Sequence, residues 1–280
     1  SLNIYPQISV FQNNRFTCTS PLNGTTNEYS FAGIKSKNLN VITSQYAKSN
    51  YFYDLHYGIF TEGEATEISG SIYRMFRIKD EGIVLCKGKL DISGSLFLNC
   101  RINAVHVLKN QSTSIKATTF IINDQIINNN LHTAIKIDEF LPNSTTNITT
   151  SINATLNWSR FGEKIIGIHL QGNKVAGGCD IKVTNSSISI DNKGGIGINL
   201  PGLFPSSSNT LLENNTIRIG LNNDSPFNKI DYPTGISSIG DKNNVKIIAN
   251  KFTGTVPFQS GNQSIGISIQ NTTGHGNDVS

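Results

Sequence analysis

Charge is scarce in this sequence: Asp, Glu, Lys and Arg supply 15% of 280 residues, against an ordinary share of about 25%. The net charge of +4 is spread thinly, with no basic run and no interleaving of basic and aromatic residues. Nucleic acid is therefore not an expected partner. No apolar stretch approaches the ~18 residues of a membrane-spanning helix, and no signal peptide opens the chain. Heptads and long amphipathic stretches are missing, which argues against a helical architecture. The four cysteines, Cys18, Cys86, Cys100 and Cys179, show no CxxC spacing and no clustered His. No zinc, other metal or cofactor is expected, and buried thiols acting as small hydrophobes are favoured over disulfide pairings.

What the chain does have is repetition. The phrase IGIHL at Ile166–Leu170 returns as IGINL at Ile196–Leu200 and IGISI at Ile265–Ile269. The same small-apolar-x-apolar beat sounds in YGIF, EGIV, NAVHV, TAIKI and TGISSI. A second element lies between these phrases. Val183-x-Asn185-Ser186-Ser187-Ile188, Leu212-x-Asn214-Asn215-Thr216-Ile217, Ile247-x-Ala249-Asn250-Lys251-Phe252 and Phe11-x-Asn13-Asn14-Arg15-Phe16 align without gaps. Ile68-Ser-Gly-Ser-Ile72 and Ile92-Ser-Gly-Ser-Leu96 read as the same element with Gly at the corner. Asn and Gly tolerate positive φ, as a sharp bend between two strands requires. The two elements alternate about nine times, at intervals of roughly 22 to 40 residues, which is solenoid spacing.

Strand-sized runs with period-2 alternation predict β units. Variable coil length, short strands and Asn corners resemble the right-handed parallel β-helix proteins, the group of pectate lyases, polygalacturonases, phage tailspikes and many bacterial surface proteins. The resemblance covers nearly the whole chain and implies an all-β, right-handed, single-stranded parallel β-helix of about nine coils. One domain over residues 1–280 is expected, as an excerpt or processed part of a longer chain, because both ends stop within the repeat. A rod of roughly 40 Å follows from ~4.8 Å per coil. About one residue in eight is Asn, a composition that suits solenoid turns and also a neutral saccharide-facing surface.

In carbohydrate-active members of this fold, substrate lies along the outer face of one sheet. If the Ile, Val and Leu of the phrase point inward, the residue between them points out. Coil by coil this gives Lys35, Phe60, Val84, His106, Lys136, His169, Asn199, Ser237 and Ser268. The column holds no Asp or Glu, so neither a calcium-dependent lyase site nor a glycosidase carboxylate pair is expected on it. His106, Lys136 and His169 form an unpaired basic ladder, a candidate site for an anionic sugar. Tyr51, Tyr53 and Tyr57, in the aromatic cluster Tyr51-Phe52-Tyr53-Asp54-Leu55-His56-Tyr57 ahead of Glu62, Glu64 and Glu67, are candidate sugar contacts. Gly274-His275-Gly276 and Arg77-Ile78-Lys79 match fragments of the polygalacturonase signature, but their order is reversed and some 200 residues separate them. They are not expected to share a site.

Long Pro-, Ser-, Thr- and Asn-rich segments, Thr19–Ser30, Asp138–Ser151, Pro201–Asn209, Leu221–Pro233 and Gly254–Gln263, read as loops leaving the coil. The expectation is an extracellular or cell-surface structural or adhesive solenoid, a rigid segment of a fibre, appendage or surface assembly. It would associate with further repeats or as a homo-oligomer, with surface glycans as possible ligands. No catalytic residue is assigned. The alternatives are a polysaccharide-active enzyme and a non-catalytic glycan-binding module.

Overall fold

The computed structural model describes residues 9–11, 13–17, 32–43, 49–64, 66–123, 131–155, 164–173, 178–191, 194–202, 204, 207–220, 233–239, 245–255, 265–270 and 278–279. Among them every regular element is a strand, and every strand pairs in parallel with its equivalent one coil away. The fold is a parallel β-helix. Three faces wind along it. The first is built from Ala32–Lys37, Tyr57–Glu62, the start of Glu81–Ser93, the start of Asn103–Ile122, His132–Ile137, Ile165–Leu170, Ile196–Pro201, Thr234–Ile239 and Ile265–Gln270. Nine coils are thus described on this face. The second face includes Val41–Thr43, Thr66–Ser71, Asp180–Thr184, Asn209–Glu213 and Val245–Ile248. The third includes Asn50–Tyr53, Tyr73–Phe76, Leu96–Leu98, Ser187–Asp191, Thr216–Gly220 and Lys251–Thr255. Asn103–Ile122 and Phe140–Thr155 run through the corner from second face to third.

The core is a set of columns. Ile59, Ile83, Val105, Ile135, Ile168, Ile198 and Ile236 stack in register on the first face, all fully buried. Facing them from the third, Phe52, Met75, Phe97, Phe120, Ile152, Ile188 and Ile217 do the same. Phe97 and Phe120 stack with centroids 5.0 Å apart. Each such side chain contributes roughly 1.5–3 kcal/mol by leaving water, so the columns hold each coil to its neighbours.

The corner between second and third faces explains the Asn-rich motif. Asn13, Ile72, Gly94, Ala117, Asn185, Asn214 and Ala249 all adopt φ between 46° and 60° there. The next residue is polar and turned inward at most coils. Its side chain accepts a backbone amide from the preceding coil: Ser95 Oγ from Tyr73 N (3.1 Å), Ser186 Oγ from Thr150 N (3.1 Å), Asn215 Oδ1 from Ser186 N (3.0 Å) and Asn250 Oδ1 from Asn215 N (3.0 Å). Amides that the bend removes from the sheet are satisfied by this ladder. In one motif the bend falls two residues later than expected. Gly70 pairs with Ile92 inside the second-face ladder, and Ile72 takes the left-handed position.

Period 2 is broken once in each first-face strand. A Cβ on Gly167 would lie 2.5 Å from Gly197 O and 3.1 Å from Ile188 Cγ2 of the third face. Gly167 therefore faces inward, as does its neighbour Ile168, and His169 faces out. This is why the phrase opens with a small residue, filled by Ala104 and Ala134 in the middle coils. Ile166 and Ile196 do stack, as do Ile168 and Ile198. The break places the first Ile of each phrase on the outer side, where Ile166 is nevertheless buried and Ile196 half-buried.

Asp138–Ser151 is not a loop: Phe140–Thr155 is a 16-residue strand with Ile148, Ile152 and Ala154 buried. Cys86, Cys100 and Cys179 are free thiols, the last two buried and Cys86 half-buried. Burial pushes the Cys100 thiol up to about 12. Cys18, the segment 19–30 and nearly all of 221–233 and 254–263 lie outside the described residues, as does His275.

Candidate functional site

Lys35, Phe60, Val84, His106, Lys136, His169, Asn199, Ser237 and Ser268 are consecutive register partners on the outer side of the first face. The sequence therefore names the whole column correctly, and His106, Lys136 and His169 do come together on adjacent coils. They are not an unpaired basic run. His106 Nδ1 meets Glu81 Oε1 at 2.6 Å and its Nε2 meets Asp138 Oδ2 at 2.7 Å. Lys136 Nζ lies 3.0 Å from Asp138 Oδ1. Asn103 adds an amide contact to Glu81.

Each carboxylate enters the site by its own route. Asp138 directly follows the strand His132–Ile137, and its amide donates to Val107 O at 3.0 Å. It stands two residues beyond Lys136, so alternation places both on one side. Glu81 opens the strand that carries Val84, three residues away. Strict alternation would put it on the opposite side. The inward pair Gly82 and Ile83 brings it back to the outer side, where Asn103 of the next coil is its register partner.

His106 is a shared cation. Burial works to lower its pKa, but the hydrogen bonds to Asp138 and Glu81 outweigh it and raise the value to about 9. For Asp138, burial works upward, and the bonds from His106 and Lys136 hold it at about 2. Around neutrality the imidazolium thus donates both N–H groups, one to a carboxylate from the coil before and one to a carboxylate from the coil after. The side chains of His106 and Glu81 are only 11% and 13% exposed. His169 has the opposite character. Burial, followed by the Lys136 charge, lowers its pKa, Asn199 Nδ2 donates to its Nδ1 at 3.1 Å, and its ring also bonds the Gln171 side chain.

This arrangement is poorly suited to acid–base turnover. A general base needs a bare nitrogen, and a glycosidase acid needs a carboxyl held protonated near neutrality. His106 has no lone pair to offer, and Asp138 is held ionised. Among the described residues no group of three or more His, Cys, Asp or Glu is arranged to hold a metal ion.

The aromatic candidates do not form one patch. Tyr51 and Tyr53 lie on the outer side of the third face, in register with Arg74 and Phe76, whereas Tyr57 opens a first-face strand beyond the corner at Asp54. Tyr53 has Phe76 stacked at 4.9 Å from the following coil and the Arg15 guanidinium 5.2 Å from its centroid on the preceding one. Both ring faces are occupied, so sugar stacking there would first have to displace a neighbour. The glutamates are also dispersed: Glu62 pairs with Lys35 at 2.9 Å, Glu64 with Lys87, and Glu67 lies on the second face beside Lys89. Arg77 pairs with Asp54 at 2.8 Å, and Ile78 is buried, so Arg77-Ile78-Lys79 serves a corner.

Comparison with family models, curated proteins and solved structures finds no match to this chain.

Proposed function

We propose that this chain is a structural or adhesive β-solenoid, a stiff segment of an extracellular or cell-surface assembly. The observation that carries this reading is the use made of its few charges. Of the eight acid–base pairs among the described residues, seven join different coils, the exception being Lys136 with Asp138. The groups that an enzyme of this architecture would direct at substrate are here directed at the neighbouring coil. The His106 cluster acts as a cross-tie.

The test is an activity survey. The whole chain is incubated with neutral and acidic polysaccharides, with and without calcium, and read by reducing-end and unsaturated-product assays. The expected result is no turnover. Turnover abolished by His106→Ala or His169→Ala would sink the structural reading.

A further inference from the structure

His132 stands apart from the other described histidines. It opens the first-face strand His132–Ile137, is fully buried, and bonds the Arg101 carbonyl through Nδ1. A carbonyl only accepts, so Nδ1 must carry the proton and Nε2 is the bare nitrogen. Nε2 is buried with no hydrogen-bond partner. The side chain is thus acceptable in one protonation state alone. Adding a proton at Nε2 creates a buried donor without an acceptor and a buried cation without a counter-ion.

The charged groups around it do not relieve this. Arg101, on the coil before, is cationic and acts against a second positive charge. Lys164, which receives the His132 amide on its backbone oxygen from the coil after, is cationic too. Asp80, two coils before, is engaged with His56. Glu81, Asp138 and Lys136 are committed to His106 and to one another.

We propose that His132 is an acid-sensitive joint: its protonation loosens the stack where 132–137 pairs with 103–107 and 165–170, dividing the rod at its middle coils. Direction follows from the same groups. Burial, chiefly, depresses the pKa of His132; the bond to the Arg101 carbonyl works upward and the Arg101 charge downward, and the net direction is down. The strain is therefore absent above an ordinary histidine value of about 6.5 and grows as pH falls below it. His169 is also depressed, but its ring is only half-buried, so a proton added at Nδ1 can be met by water, or by the Asn199 side chain turned to present its amide oxygen. It is the natural control.

The test is hydrogen exchange on the full chain at pH 7 and pH 5, corrected for the intrinsic pH dependence of exchange. Exchange at amides of 103–107, 132–137 and 165–170 is expected to accelerate at least tenfold relative to the end coils. His132→Asn, which keeps a donor for the Arg101 carbonyl but does not titrate, should remove the acceleration, and His169→Asn should leave most of it. Uniform exchange, or acceleration that follows His169 instead, would overturn the proposal. If His132→Asn does not fold, histidine ring resonances of the unaltered protein decide. Titration of His132 at or above the ordinary value rules the joint out, and failure to protonate until the middle strands open supports it.

Discussion

Glu81 and His106 lie on adjacent coils, their side chains joined at 2.6 Å, with the same imidazole bonded on its other side to Asp138 of the third coil. Removing the imidazole leaves two mostly covered carboxylates facing each other. His106→Ala is expected to lower stability by about 3 kcal/mol, the range for breaking a buried pair, in urea unfolding at pH 7. The same cluster fixes an alkaline limit. The folded pKa of His106 is raised, to about 9, so its contribution is complete below about pH 6.5 and is lost as pH rises through about 9. Unfolding midpoints between pH 6 and 10 should fall for the unaltered chain and stay nearly flat for His106→Gln over that contribution.

The outer column from Lys35 to Ser268 was legible because alternation holds from the second Ile of each phrase onward. Glu81 was not, because two consecutive inward residues, Gly82 and Ile83, invert the count between it and Val84. Asp138 stood in plain alternation with Lys136, but the segment that follows it reads as a loop. Its core positions include Ser144, Thr146 and Thr150, hydroxyl residues that are buried alongside Ile148 and Ile152. Hydropathy cannot detect a strand whose inward side is half hydroxyl. The corner was readable wherever Asn or Gly occupied it, and misplaced where Ile72 does.

Two glycines separate crowding from backbone strain. A Cβ on Gly82 would sit 2.4 Å from Ala104 O and 3.0 Å from the Phe97 ring, whereas one on Gly94 would meet nothing within 4 Å but must accept φ +55°. Gly82→Ala should cost about 2 kcal/mol or more, because the clash is with backbone. Gly94→Ala should cost about 1 kcal/mol, the penalty for a left-handed residue. Thermal melts of the two variants side by side will show whether the order holds.

Ile72 is a β-branched residue at φ 60°, where the side chain crowds the backbone. Asn occupies the equivalent position at Asn185 and Asn214. Ile72→Asn should therefore raise stability by about 1 kcal/mol, despite some loss of apolar contact. A lower denaturation midpoint would count against the corner assignment.

Asn215 is fully committed. Its Oδ1 accepts from Ser186 N, and its Nδ2 donates to Val183 O at 2.8 Å and to Asn250 Oδ1 at 2.9 Å. Asn215→Ala leaves the Ser186 amide and the Val183 carbonyl short of partners in a buried corner, an expected loss of about 2–3 kcal/mol. Exchange of the Ser186 amide should rise more than that of amides on the first face.

The His106 cross-tie also bears on how such a rod would yield to force. Most contacts here join nearest neighbours, so a chain pulled from one end should peel away coil by coil, each step releasing a similar length at a similar load. Glu81, His106 and Asp138 break that monotony by joining three successive coils through one imidazolium. Peeling from either end must reach this point and stall, then release several coils in one larger step.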